Sequence, residues 1–306
     1  MTDHGQGELF TADVANLTPL ERAERVRKLT TDAGHHLDRI IAEHVTDAGK
    51  ELAGIAVLFS GGNDSTILAH LFRHRATHAI HANTTIGIEQ TRQFVRDTCA
   101  GWSLPLLEVK PPRPEDHYAA LVLAHGFPGP AHHYKMFQRL KERGLREARR
   151  RIVTERGQRV IYLAGRRRAE SERRASIPTD ERQGSVIWCS PLTEWTALDL
   201  ATYRQIHPDL PRNEVSDLLH MSGECLCGAF AHPGELDEIG DWFPDVAAEI
   251  RQLETAIADR ADLSPACRKW GWGADELARH ADRQYRSGRL CGGCADRWQT
   301  ALDFDA

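Results

Sequence analysis

The residues in this 306-residue sequence whose types and spacing do chemistry fall into three groups, and the first is Ser60-Gly61-Gly62-Asn63-Asp64-Ser65-Thr66. Adjacent glycines remove Cβ obstruction, so several backbone N–H groups can point into one concavity. A helix beginning directly behind them adds partial positive charge at its N-terminus. Phosphate is the natural guest. Ser60, Ser65 and Thr66 offer hydroxyl donors at the rim, while Asp64 either caps the helix or binds a magnesium ion that bridges phosphate oxygens. Gly-Gly alone reads as an ordinary strand-to-helix turn; the complete string favours an anion. No Gly-Lys-Ser/Thr follows, which excludes a Walker A loop.

The second group is Gly165-Arg166-Arg167-Arg168-Ala169-Glu170-Ser171-Glu172-Arg173-Arg174. Guanidinium groups bind phosphate or sulfate through paired hydrogen bonds and keep their charge at any physiological pH. Arg166 and Arg167 are therefore expected to neutralise charge in a reaction that Asp64 assists. The segment belongs to a wider basic region: residues 139–174 hold fourteen Lys or Arg against five Asp or Glu. Such an excess marks an anion-binding surface, or over 139–151 a solvated helix face.

The third group is Cys225-Leu226-Cys227 with Cys291-Gly292-Gly293-Cys294. Two close pairs make a tally of four thiolates for one metal centre, and glycines between the last two leave the backbone free to turn both sulfurs inward. A four-iron iron-sulfur cluster (4Fe-4S) is the first reading and structural Zn2+ the second, because four thiolates serve either metal. Cys267 is an alternative fourth ligand, and a redox dithiol or plain core packing are the remaining readings. Cys99 and Cys189 fall in a predicted helix and strand and are read as core.

Elements must position these groups. Ile55-Ala56-Val57-Leu58-Phe59 is a short apolar run of buried-strand type, and Ser65 to Phe72 is helical behind the glycines. A second strand-helix unit runs through Ala79 to Thr84 and Glu89 to Cys99, followed by strands at Pro105 to Val109 and Arg159 to Ala164. Alternating strands and helices predict an α/β fold: an open, mostly parallel twisted sheet with helices on both faces. Gly165 then directly follows a strand, where ligands bind in such sheets. Thr18-Pro19-Leu20-Glu21 is a capping box that opens one or two amphipathic helices with a polar break near Thr30 and Thr31. The expected division is an N-terminal helical segment (1–50), a nucleotide-binding domain (51–215) and a C-terminal helical subdomain with the four cysteines (216–306).

Ser-Gly-Gly-x-Asp-Ser after a hydrophobic strand resembles the PP-loop of the ATP-pyrophosphatase superfamily, the adenine nucleotide alpha-hydrolase-like enzymes. By that resemblance the adenine sits near His81-Ala82-Asn83-Thr84, held largely by main-chain groups, and Asn83 joins Ser60 to Thr66 in holding the nucleotide. Gly165 to Arg174 is similar to the Gly-x-Arg-x-x-Glu-Ser-x-x-Arg segment of the phosphoadenosine-phosphosulfate (PAPS) reductase branch, which adds Gly165, Arg166, Glu170 and Arg173 to the expected contacts. Ser190 to Leu200 resembles that branch's Pro-Leu-x-x-Trp-Thr-x-x-Asp segment, ahead of His207-Pro208. Two departures stand out. Tyr134-Lys135-Met136-Phe137 replaces the relatives' Trp-Cys-Thr, and no Glu-Cys-Gly-Leu-His tail of the assimilatory reductases exists here.

A PP-loop with reductase-like motifs and a cysteine cluster, but without that tail, resembles the ATP pyrophosphatase of bacterial DNA phosphorothioation systems. The resemblance implies ATP and Mg2+ as cofactors, DNA as sulfur acceptor, and a cysteine desulfurase and other modification proteins as partners. A sulfonucleotide reductase, and a nucleotide-sensing scaffold with a structural metal, are the competing readings. The composition fits a soluble chain: a net charge of -5 and 41% hydrophobic residues, with no apolar run of the roughly 18 residues that cross a bilayer. Met1 to Leu17 lacks the pattern of a secretory signal, so a cytoplasmic location is expected.

Overall fold

The computed structural model describes residues 11–170 and 175–273. In chain order the elements are α1 (Thr11–Ala15), α2 (Pro19–Ile41), β1 (Glu51–Leu58), α3 (Asn63–Phe72), β2 (His78–Ala82), α4 (Glu89–Gly101), β3 (Leu106–Val109), α5 (Tyr118–His125), α6 (His133–Phe137), α7 (Arg143–Ile152), β4 (Gln158–Leu163), β5 (Asp180–Gln183), β6 (Val186–Cys189), α8 (Ala197–Ile206), α9 (Glu214–Leu219), α10 (Glu235–Trp242) and α11 (Pro244–Ile257). The six strands form one sheet in the order β3-β2-β1-β4-β6-β5. All neighbours are parallel except β5, which runs antiparallel to β6 at the edge.

The period-2 alternation of strands sorts β1 and β4 into two apolar layers. Ile55, Val57, Ile161 and Leu163 pack with Leu37, Ile67, Leu68 and Val95 from the helices on one face. Ala56, Val160 and Tyr162 pack with Leu145, Ala148 and Ile152 of α7 on the other. Burial of each large aliphatic side chain stabilises the fold by roughly 1.5–3 kcal/mol relative to exposure. The expected α/β sheet with helices on both faces is therefore present.

The order of the strands creates the site. From β1 the chain moves outward to β2 and β3, then returns to place β4 against the other side of β1. Connections leaving the C-terminal ends of β1 and β4 diverge to opposite sides, opening a crevice between them. The glycine loop follows β1 and the arginine segment follows β4, so the two motifs meet there.

Thr18 caps α2 as the sequence predicts: its Oγ1 accepts from Glu21 N at 3.3 Å, and Glu21 Oε2 accepts from Thr18 N at 2.7 Å. The polar break expected at Thr30 and Thr31 is absent, and α2 runs unbroken to Ile41. Thr31 satisfies its hydroxyl inside the helix by donating to Arg27 O at 3.1 Å, while Ala33, Leu37 and Ile40 carry the buried stripe onward. A third apolar cluster joins Val215, Leu226, Ile239 and Ile250 to Ile86, Tyr118 and Phe127, so residues after 215 share a core with α5 and the loop after β2. Among the described residues no helix is long and apolar enough to cross a membrane.

Candidate nucleotide site and active-site cleft

Gly61 takes φ +81°, a conformation open to glycine, and Gly62 is the N-cap of α3. A Cβ on Gly61 would stand 2.7 Å from Thr91 Cγ2. The loop is also clasped from outside: Asn213 Nδ2 and Ser216 Oγ both donate to Gly61 O, at 2.9 and 3.2 Å. Inside it, Ser65 Oγ and Thr66 Oγ1 donate to Gly62 O at 2.9 Å each, and Ser60 Oγ lies 3.1 Å from Ser65 Oγ. Thr66 is fully buried and braces the turn, whereas Ser60, Gly62, Asn63, Asp64 and Ser65 line the cleft.

Asp64 does not cap the helix. Its Oδ2 accepts from Arg167 Nε at 2.6 Å, and the Arg167 side chain is 7% exposed. Gly165 makes the approach possible, since a Cβ there would press within 3.3 Å of the Asp64 carbonyl carbon. Arg166 lies beside Arg167 with its guanidinium 5.5 Å from the centre of the Trp188 ring, and its Nε donates to Ser190 Oγ at 3.1 Å. Asn63 Oδ1 accepts from Arg204 of α8. Glu170 lines the same cleft, and Arg173 lies outside the described residues.

Asn83 is engaged elsewhere. Its Nδ2 donates to Glu108 Oε1 at 2.8 Å, and its Oδ1 accepts from Thr85 N at 2.9 Å, so the side chain fixes the end of β2 rather than lining the cleft. The neighbouring buried network was not legible in sequence. Glu224, 2% exposed, accepts from Thr84 N at 2.7 Å and contacts His81 Nε2 at 3.0 Å, and Arg92 Nε lies 3.4 Å away. The other His81 nitrogen, Nδ1, is 2.8 Å from Phe59 O, at the mouth of the glycine loop. Burial pushes the Glu224 pKa up, but the hydrogen bond and charge of His81, with Arg92, outweigh it and leave the pKa lowered. The one signal in the sequence was its place directly before Cys225.

Cys225 and Cys227 flank this anchor. Cys225 lines the cleft, and Cys227 is buried with its carbonyl accepting from Tyr118 Oη at 3.0 Å. The Cys227 thiol, hydrogen-bonded to Cys225, and the charge of Lys141 hold the Cys225 thiol below the usual cysteine range. Cys291 and Cys294 lie outside the described residues. Among those described, the sulfurs of Cys225, Cys227 and Cys267 do not converge within 4.8 Å of one another. The paired thiols fit half of a four-thiolate site.

The cleft has a volume of about 2130 Å³ and runs from the glycine loop past Arg166 and Trp188 on one side, and to Cys225 and Lys141 on the other. Chemically it offers backbone donors at a helix N-terminus, a carboxylate held by a buried arginine, and a thiol within the same space.

Known proteins resemble this chain in sequence and in structure. Adenosine 5'-phosphosulfate reductase of Chelativorans sp. is 26% identical over 227 residues, covering 73% of this chain and 89% of that protein. Among solved structures, the PAPS reductase of Candida auris in its phosphate complex is 16% identical with a TM-score of 0.43, over 71% of this chain and 93% of that one. NMN synthetase from Francisella tularensis is 14% identical with a TM-score of 0.44, over 89% and 99%. The phosphoadenosine phosphosulfate reductase domain matches residues 54–218, a span that takes in the glycine loop, the arginine segment and α8, and the chain belongs to that family.

Proposed function

We propose that this protein is an ATP-dependent adenylylating enzyme that cleaves ATP to AMP and pyrophosphate and so activates an acceptor for sulfur incorporation, with the DNA backbone as acceptor. The observation that carries the reading is that one cleft holds both the phosphate-type loop, with its Asp64–Arg167 pair, and the Cys225 thiol. Loop amides would hold the triphosphate, and Asp64 would hold the magnesium ion, whose chemistry is to neutralise charge on the departing pyrophosphate. Arg166 and Arg167 orient and neutralise the same oxygens.

The bonds balance in three steps. A non-bridging phosphodiester oxygen attacks the α-phosphorus, the α–β anhydride breaks, and pyrophosphate leaves with its bridging oxygen. The outer sulfur of a persulfide made by a cysteine desulfurase then attacks the activated DNA phosphorus, AMP departs with the former oxygen, and an external thiol cleaves the remaining S–S bond, ending as a disulfide and leaving the phosphorothioate. The basic residues of α7 suit a polyanion, and other modification-system proteins would complete the DNA contacts. An iron-sulfur cluster on Cys225, Cys227, Cys291 and Cys294 belongs to the same reading, with zinc as the alternative metal.

Sulfonucleotide reduction is the second reading, and the family match together with the relative's name favours it about equally. Two assays separate them: pyrophosphate release from ATP with DNA and a desulfurase, and sulfite formation from adenosine 5'-phosphosulfate or PAPS with reduced thioredoxin. Phosphorothioate dinucleotides in nuclease-digested DNA support the first reading. Sulfite without pyrophosphate replaces it with the second, and tight ATP binding without either product makes the protein a sensor or scaffold.

A further inference from the structure

At the opposite end of α3 from the glycine loop, His70, His207 and Asp209 turn ligand-type atoms toward one point, all within 4.8 Å of one another. His70 is 2% exposed. Its Nδ1 is 2.9 Å from Tyr203 Oη, which sets the ring so that Nε2 faces Asp209 Oδ2 at 3.2 Å. Burial pushes the His70 pKa down, against the pull of the Asp209 hydrogen bond. The His207 ring lies 4.2 Å from the Tyr203 ring and 5.2 Å from that of His70, centre to centre. Among the described residues neither ring nitrogen of His207 has a hydrogen bond, while its backbone N donates to Tyr203 O at 3.0 Å. Trp102, 5.8 Å from the His70 ring, closes the apolar side, and the Asp209 carboxylate, 64% exposed, faces solvent and provides an entry path. Arg73 Nη2 reaches Asp209 only at 4.0 Å, a contact that an incoming cation displaces.

We infer that His70, His207 and Asp209 form a binding site for a divalent transition metal of the zinc class. Two imidazoles and one carboxylate are the donor set that borderline metals prefer, whereas magnesium and calcium take oxygen ligands. The Tyr203 hydroxyl is the outer-sphere partner that orients the His70 ring. The metal ties the C-terminal end of α3 to the segment after α8. The same two helices meet at the loop end of α3 through Asn63 and Arg204, so both contacts fix the helix that presents Asp64. The site stands apart from the cysteines and does not depend on the proposed reaction.

The test uses the full chain, stripped with a chelator under reducing conditions and titrated with Co2+ and then Zn2+. Wild type is expected to bind one Co2+ more per chain than His207→Gln or Asp209→Asn. The difference spectrum is expected to show d–d bands without sulfur-to-metal charge transfer. Zn2+ affinity at this site falls at least about 100-fold in His207→Gln and about 10-fold in Tyr203→Phe, following the range for lost outer-sphere partners. Zn2+ raises the melting temperature of wild type more than that of either ligand variant. Equal stoichiometry in wild type and variants, or a difference spectrum dominated by sulfur charge transfer, overturns the inference. Should His207→Gln fail to fold, Asp209→Asn decides alone, because that carboxylate is exposed.

Discussion

Arg167 donates from Nε to Asp64 Oδ2 at 2.6 Å, joining the connection after β4 to the first turn of α3 across the crevice of the sheet. In the proposed reaction a nucleotide's phosphates and their metal ion compete for both partners. Asp64 is therefore presented already oriented, and Arg167 is held in the cleft wall with little freedom to lose on binding.

Arg167→Ala is expected to lower pyrophosphate release about 100-fold, the scale of losing one preorganised donor to developing charge. Arg167→Lys should recover little of this, since a point charge replaces a planar fork. Removing either partner leaves a part-buried charge unmatched, which costs about 1–3 kcal/mol of stability. Urea unfolding measured beside the coupled pyrophosphate assay separates the two effects. Undiminished turnover in folded Arg167→Ala would remove this residue from the chemistry.

Gly61→Ala combines two penalties: alanine must adopt φ +81°, and its Cβ must displace Thr91 Cγ2 from 2.7 Å. Backbone strain of this kind costs of order 1–3 kcal/mol. Because Asn213 and Ser216 hold Gly61 O, relief by moving the loop breaks that clasp. Calorimetry should show adenine nucleotide binding lost at a temperature where circular dichroism still reports a folded chain.

Glu108 supplies the acid dependence of the β2–β3 edge. The Arg96 hydrogen bond brings its pKa down to about 2, with Asn83 helping and burial opposing. A carboxylate whose pKa is depressed by folding stabilises the native state above its unfolded value, about 4.3, and the contribution is lost as pH falls through the folded value. Wild type should lose urea resistance steadily below pH ~4.3, and Glu108→Gln should show a flatter profile in that window while starting less stable. Parallel profiles for the two proteins would show that Arg96 and Asn83 do not sense the charge.

The sheet and the glycine loop were legible because their signals are local. An apolar run such as Ile55 to Phe59 followed by two glycines has few alternative structures, and the Thr18–Glu21 cap spans one turn. The edge strand Asp180–Gln183 carried no such signal, since a strand with three exposed polar residues looks like a loop. The clasp of Asn213 on Gly61, the anchoring of Glu224 by His81 and Thr84, and the meeting of His70 with His207 all join residues more than a hundred positions apart. Only the return of β4 to the side of β1 brings such partners together. Asn83, where the resemblance expects contact with the adenine largely through main-chain groups, uses its side chain to bind Glu108 and Thr85.

Cysteine reactivity tests the chemistry of the cleft directly. Thiolate is the species that alkylates, so each thiol's rate follows its ionised fraction and its access. Cys225 lines the cleft and is ionised more readily than an ordinary cysteine, by the Cys227 hydrogen bond first and by Lys141 as well. Cys99 and Cys189 are buried, and burial pushes both thiols up to about 12. In reduced, metal-stripped protein at neutral pH, iodoacetamide should therefore modify Cys225 first and leave Cys99 and Cys189 untouched, as read by peptide mass spectrometry. Lys141→Met should shift the pH of half-maximal labelling upward, because the thiolate loses a neighbouring cation. If Lys141→Met leaves the labelling profile unmoved, the hydrogen bond from Cys227 alone accounts for the thiolate.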